Sequence, residues 1–278
     1  MNKKIILITG VSTGLGRALA QEALTEGHRV IGTVRQDKAQ AEFEALKPGE
    51  SFARVLDVRD YAAVERTVVD VESTVGPIDV LVNNAGYGHE GLVEESPVEE
   101  LIQQFEVNVF GAVAAIKAVL PFMRQRRRGH ILNITSMGGL MTFPGIAYYH
   151  GSKYALEGIS GSLAKEVKSF GIFITAVEPG MFRTDWAGRS MVRSKRSIPD
   201  YDASFEPVRA ARKSRDGNQA GDPTKAARAM LKLIESPNPP THLLLGPDAL
   251  KFVREDRTAF DAEITAWESI SASTNFDS

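Results

Sequence analysis

The 278-residue sequence contains no cysteine. That excludes disulfides, thiolate metal sites and a cysteine nucleophile. It also accords with a reducing cytosol, so a cytoplasmic location is expected. Neither sign of charge is in excess: 33 Lys and Arg against 35 Asp and Glu leave a formal net charge of −2. Such a balance provides no global attraction to nucleic acid or to a membrane surface, and neither is expected as a partner. No uninterrupted apolar run approaches the roughly 20 residues that cross a bilayer. The start, Met-Asn-Lys-Lys-Ile-Ile-Leu-Ile-Thr-Gly, is too short for a secretory signal and suits a buried first strand. No group of His, Asp and Glu has metal-ligand spacing, so no metal is expected. Low-complexity tracts, repeats and linkers are also missing.

What is present is a regular alternation. Largely apolar runs at Ile5–Ile8, Val30–Val34, Phe52–Val58, Ile78–Val82, His130–Thr135 and Ile172–Val177 read as buried strands. Between them lie segments with helical apolar spacing: 14–26, 37–46, 61–75, 97–123 (broken near Asn108 to Gly111) and 149–170. Gly27, Pro48-Gly49 and Gly76-Pro77 supply the stops. Apolar strands joined by such helices predict an α/β fold with a doubly wound parallel sheet of Rossmann type, helices on both faces, in a single domain over 1–278. Its ligand belongs at the carboxyl ends of the strands. After Pro179 the pattern dissolves. Residues 182–221 read as an irregular substrate lid, 223–234 as a helix, 243–245 as a short strand, 250–267 as a terminal helix and 271–278 as a frayed tail.

The first strand–helix turn is Thr9-Gly10-Val11-Ser12-Thr13-Gly14-Leu15-Gly16. Gly10 permits the tight turn, and Gly14 lets backbone amides approach a pyrophosphate at the positive end of a helix. Gly16 allows close packing of helix on sheet, and Ser12 and Thr13 offer hydroxyls. At the end of the second strand neither Thr33 nor Val34 is the carboxylate that would bind the 2′-hydroxyl of NAD(H). Arg35 is there instead and suits a 2′-phosphate, so NADP(H) is favoured over NAD(H).

Ser136 follows the fifth apolar run, and Tyr149 and Lys153 stand four apart on the helix that comes next. They therefore share a face one turn from each other. An ammonium beside a phenol favours the phenolate, which predicts a proton donor and acceptor working near neutral pH.

Taken in order, these pieces resemble the short-chain dehydrogenase/reductase family over about residues 3–185. To the glycine turn and the Tyr149-x-x-x-Lys153 pair are added Asp57-Val58, Asn83-Asn84-Ala85-Gly86, Asn108, and Pro179-Gly180-x-x-x-Thr184. The thirteen residues from Ser136 to Tyr149 select Tyr149 over Tyr148, which has no lysine four residues on. The resemblance implies a general acid/base (Tyr149), a lysine that lowers its pKa and holds the ribose (Lys153), an oxyanion donor (Ser136) and an amide that holds a relay water (Asn108). It implies Asp57 and Val58 beside the adenine, and Asn84, Ala85 and Gly86 beside the ribose. The nicotinamide would lie near Pro179, Gly180, Phe182 and Thr184. The implied activity is an NADP-preferring carbonyl reductase or alcohol dehydrogenase acting on a small-molecule ketone, aldehyde or secondary alcohol. Gly151 stands where the family usually has alanine. The ending His242-Leu-Leu-Leu-Gly246-Pro lacks the glycine pair of many tetrameric members, which favours a homodimer.

Two other readings compete. A non-catalytic NADP-binding sensor on this fold is expected to lose the tyrosine–lysine pair. An epimerase or dehydratase is expected to show other glycine spacing and a larger substrate domain. The arginines of 124–128 read as a solvated helix end, and the lid's Arg183, Arg189, Arg193, Lys195 and Arg196 as surface. Tyr87 and His89 are candidates for a pocket rim. Met141, Phe143, Met181, Phe182, Trp186 and Phe205 are candidates for an apolar pocket wall.

Overall fold

The computed structural model describes residues 3–276. Seven strands form one parallel sheet: β1 (Ile5–Ile8), β2 (Arg29–Val34), β3 (Ser51–Val55), β4 (Val80–Asn83), β6 (Gly129–Ile134), β7 (Ile172–Pro179) and β9 (His242–Leu245), in the order β3-β2-β1-β4-β6-β7-β9. The order reverses between β1 and β4, which makes their carboxyl ends the switch-point crevice where ligands of such sheets bind. The central strands are buried on both faces because most of their residues are apolar; β1, for example, is Ile-Ile-Leu-Ile.

The helices α1 (Gly14–Thr25), α2 (Asp37–Glu44) and α8 (Pro223–Glu235) belong to one face, where Leu19, Ala23, Phe43, Met230 and Leu231 pack on alternate strand residues such as Ile6 and Ile8. On the other face α3 (Tyr61–Thr74), α5 (Gly111–Gln125) and α6 (Ala147–Val167) pack Val64, Val68, Ile116, Met123 and Leu163 against Ile5, Leu7 and Ile131. A helix α4 (Val98–Phe105) runs into α5 through one π turn, Glu106–Phe110, where the sequence predicts a break. Taken as one helix, Val98–Gln125 is long and apolar enough by length and composition to cross a membrane, which separate apolar runs did not reveal. Here its Ala115, Ile116, Val119 and Met123 are core residues of the sheet.

The predicted lid is more regular than its sequence suggests. A three-residue strand β5 (Gly88–Glu90) pairs in parallel with β8 (Met191–Arg193) from inside the lid, and α7 (Asp202–Ser214) follows. The two ends of the segment meet: Phe182 bridges to Gly221, and Arg183 N donates to Gly221 O at 2.8 Å. Salt bridges hold it down. The Glu90 carboxylate, 2% exposed, accepts from Arg212 at 2.6 Å and Arg209 at 3.2 Å, with Arg193 at 3.3 Å. Glu95 accepts from the backbone of Ser197 and Ile198 and from Arg196. Finally α9 (Pro247–Ala272) closes the chain, longer at both ends than its apolar spacing predicts.

Candidate active site

The glycine turn sits at the carboxyl end of β1, and its geometry explains its residues. Gly10 and Gly14 have φ of +74° and +63°, in the left-handed region that glycine adopts without strain. A side chain at Gly16 would meet Asn84 and the Gly10 carbonyl. Asn84 is a brace for this turn. Its Nδ2 donates to Thr9 O at 2.9 Å and Gly10 O at 2.8 Å, while the Thr9 hydroxyl accepts from the Asn84 and Ala85 amides at 3.0 Å each. The Asn84 side chain therefore points at the turn rather than outward to a ribose.

The start of α1 fits an anion. Thr13, at the N-cap, makes no side-chain cap bond, and the first turn contains no acidic residue. The helix amides and their dipole are thus left facing outward beside exposed Ser12. Above Gly14 lie Thr184 and Asp185 of the lid, 3.8 Å from where a Cβ would stand. Arg35 is exposed at the end of β2, and among the described residues no carboxylate lies within 4 Å of it, Asp37 included. Asp57 instead clamps Arg59 at 2.6 Å, which holds its carboxyl below the usual range.

The catalytic candidates converge at the carboxyl end of β6. Ser136, 9% exposed, accepts from the Gly138 amide at 3.0 Å, which caps a short 3-10 turn. His150 braces that turn from below: its Nε2 accepts from Phe143 N at 2.8 Å, so its Nδ1–H donates to Gly138 O at 2.6 Å. Tyr149 and Lys153 are both buried on α6, with Nζ 5.7 Å from the phenol ring centroid. Lys153 Nζ donates to Ile134 O at 2.8 Å. Burial lowers Lys153 to about 8, with the Glu157 carboxylate opposing. The expectation of a phenol near neutrality is corrected here: burial pushes Tyr149 up to about 12, and the nearby Ser136 hydroxyl only partly offsets this.

Asn108 lies in the π turn. Its Oδ1 accepts from Tyr87 N and its Nδ2 donates to Tyr87 O and Ser152 Oγ, each at 3.1 Å. The side-chain amide therefore ties the π turn, α6 and the strand-4 loop together; both Nδ2 hydrogens are used in this, which leaves the second lone pair of Oδ1 as the amide's one free position for a water. Val58 packs against Gly111 of the same helix. Gly180 is pinned by Asp248, which accepts from Met181 N at 2.7 Å, and Phe182 packs on the core beside α1 and α8.

Several pocket assignments change. His89 is buried, stacked on Tyr148 at 4.8 Å, and its Nε2 lies 2.7 Å from Glu100 and 3.0 Å from Ser194; it is an internal tie and not a rim. Met141, Phe143 and Met181 form a small separate core with Met137 and Val253 under α9. Phe205 is buried against Gly145 and Arg196. Of the six aromatic and methionine candidates, Trp186 is the one whose ring meets Tyr149, at 5.0 Å. The fold also assembles what spacing along the chain cannot show: Glu157, Glu178 and His242, far apart in sequence, have ligand atoms within 4.8 Å of one another.

Known proteins place this arrangement. The short chain dehydrogenase family profile matches residues 4–193. The chain is 39% identical over 270 residues to oxidoreductase BOA17 of Botryotinia fuckeliana, covering 96% of this chain and 98% of that protein. It superposes with a TM-score of 0.91 on a short-chain dehydrogenase from Streptomyces avermitilis, 39% identical, covering 99% and 100% of the two chains. ElxO, solved with NADP bound, matches with a TM-score of 0.75 at 27% identity, over 90% of this chain and all of that one. Matches that run the length of the sheet, and a motif set that the fold gathers at one crevice, make this protein an oxidoreductase of the short-chain dehydrogenase/reductase family.

Proposed function

We propose that the protein is an NADP(H)-dependent reductase of ketones or aldehydes, or a dehydrogenase of the matching secondary alcohols. The observation that carries this reading is the row of buried Ser136, Tyr149 and Lys153 at the carboxyl end of β6, two strands from the glycine turn. A nicotinamide cofactor fits the uncapped α1 terminus, and the exposed Arg35, with no carboxylate partner among the described residues, supports a 2′-phosphate. When bound, the cofactor supplies or accepts the hydride.

The chain's own residues do the rest. Ser136 Oγ is placed to donate to the carbonyl oxygen, where negative charge develops during reduction. The Tyr149 phenol delivers the proton to that oxygen, and takes it back in the alcohol direction. Because burial keeps the phenol protonated, the resting state is loaded for reduction. Lys153, an ammonium at neutral pH one turn away, stabilises the phenolate left behind. Trp186 covers the phenol and shields the transfer from water.

The test is a screen of steroid, retinoid, sugar, keto-ester and acyl-thioester carbonyls with NADPH and NADH. NADPH-linked turnover of at least one class is expected. Tight NADPH binding with no turnover of any class would favour the sensor reading.

A further inference from the structure

The middle of α6 contributes to a second cluster that the reading above does not use. Glu157, one turn beyond Lys153, and Glu178, near the end of β7, are 7% and 0% exposed. His242 opens edge strand β9 and is half exposed. Its Nδ1 lies 2.7 Å from Glu178 Oε1 and 3.5 Å from Glu157 Oε2. Three carboxylate oxygens in this buried space, Glu157 Oε1 and Oε2 and Glu178 Oε2, have no hydrogen-bond partner among the described residues. Buried carboxylate oxygens are ordinarily satisfied, so three together point to a missing ligand. A single proton on His242 Nδ1 can serve one oxygen and leaves the others bare. The other charged groups facing the space do not fill it. Lys153 donates to Ile134 O. Arg257 of α9 acts on Glu178 from beyond ion-pair distance. The Thr135 hydroxyl lies close enough to Glu157 to favour its carboxylate form, but its one proton goes to Val177 O at 2.9 Å.

We propose that Glu157, Glu178 and His242 bind one divalent transition-metal cation, zinc by preference, which ties α6 to β7 and the sheet edge. One imidazole nitrogen and two carboxylate oxygens suit zinc, with a fourth position open to water. Ligands about 2.0–2.1 Å from a tetrahedral zinc stand about 3.3 Å apart. The two distances from His242 Nδ1 bracket that value, and all three donors fall within 4.8 Å of one another. The two carboxylates balance the ion's charge, and half-exposed His242 gives it a way in. A similar trio, Glu26, His28 and Glu235, does not qualify. There His28 Nδ1 accepts from Lys4 N at 3.2 Å, so Nε2 carries the ring proton and has no lone pair for a metal.

The experiment uses chelator-stripped full-length protein titrated with zinc chloride, read by calorimetry, by metal content after dialysis and by melting temperature. One zinc per chain is expected, with a dissociation constant in the micromolar range or below and a rise in melting temperature on loading. Glu178→Gln should weaken binding at least tenfold. His242→Arg sets a guanidinium between the carboxylates, which keeps the region folded, and should abolish both binding and the thermal shift. His28→Gln should leave both unchanged. Absence of zinc uptake by the stripped wild type, or undiminished uptake and thermal shift in His242→Arg, would overturn the proposal. No readout depends on turnover, so its failure is separate from failure of the reductase reading.

Discussion

Trp186, from the lid, lies against Tyr149 of α6 with 5.0 Å between ring centroids and 60° between their planes. Gly88 makes room for this approach, since a Cβ there would stand 2.8 Å from the indole. The lid thus reaches the Tyr149 phenol through one side chain, and on the proposed reading the substrate's carbonyl is accommodated beside that ring. Trp186→Ala should raise KM for an apolar carbonyl about tenfold, the effect of losing roughly 1.4 kcal/mol of contact, with a smaller change in kcat. Equal losses in kcat and kcat/KM would show instead that the indole acts on the transition state.

Arg35 sets the second prediction. An exposed guanidinium that no carboxylate approaches within 4 Å among the described residues is available to a 2′-phosphate. Arg35→Ala should weaken NADPH about ten- to a hundredfold, the equivalent of one charge-assisted contact of about 1.5–3 kcal/mol, and leave NADH nearly unchanged. Paired KM values for the two cofactors check it. An equal fall for both would remove Arg35 from cofactor choice.

The lid's anchoring makes the third. Glu90 is buried with Arg193, Arg209 and Arg212 around it. Removing the charge of a buried carboxylate leaves its partners uncompensated, at a cost of about 3–5 kcal/mol. Glu90→Gln should loosen 182–221 first, because α7 buries only Phe205 of its own. Faster hydrogen exchange confined to 191–214, with the parallel sheet still protected, is the expected pattern. Uniform exchange across the chain would mean that the lid and the sheet open together.

How much of this was legible in the chain depends on the range of the signal. The parallel sheet was, because strands such as Ile5–Ile8 are apolar on both faces and the glycines after β1 and α1 stop each element locally. The break in the long helix was also readable, and the structure has its π turn at Glu106–Phe110. The lid was not: β5 and β8 are three residues each and pair across about a hundred residues of chain. Helix α7 contains Pro207 and a single buried residue, so it has no apolar stripe to read. His89 was misread as a rim because the partners that bury it, Glu100 and Ser194, lie 11 and 105 residues away. Glu157 and Glu178 looked like ordinary helix and strand-end acids until the fold placed both against His242.

Acid should act through His130. Its Nε2–H donates to Thr175 Oγ1 at 3.0 Å, since that hydroxyl itself donates to Pro240 O. Burial lowers its pKa from 6.5 to about 4. The unfolded chain therefore binds more protons between pH 4 and 6.5, so stability falls as pH drops through that window. Between pH 7 and 5 this one group accounts for about 2 kcal/mol. Urea denaturation of the wild type and of His130→Gln, which keeps a donor but does not titrate, should show a shallower acid loss in the variant by that amount. Parallel curves would assign the acid sensitivity elsewhere.

The central claim is that Tyr149 moves the proton while the nicotinamide moves the hydride. Its most direct test measures carbonyl-dependent NADPH oxidation and NADPH affinity side by side in the wild type and in Tyr149→Phe. The phenylalanine keeps the ring against Trp186 and removes the hydroxyl alone. The account predicts that NADPH binds both proteins with closely similar affinity and that turnover in the variant falls by about a hundredfold or more. Turnover undiminished in Tyr149→Phe, with cofactor bound, would contradict it.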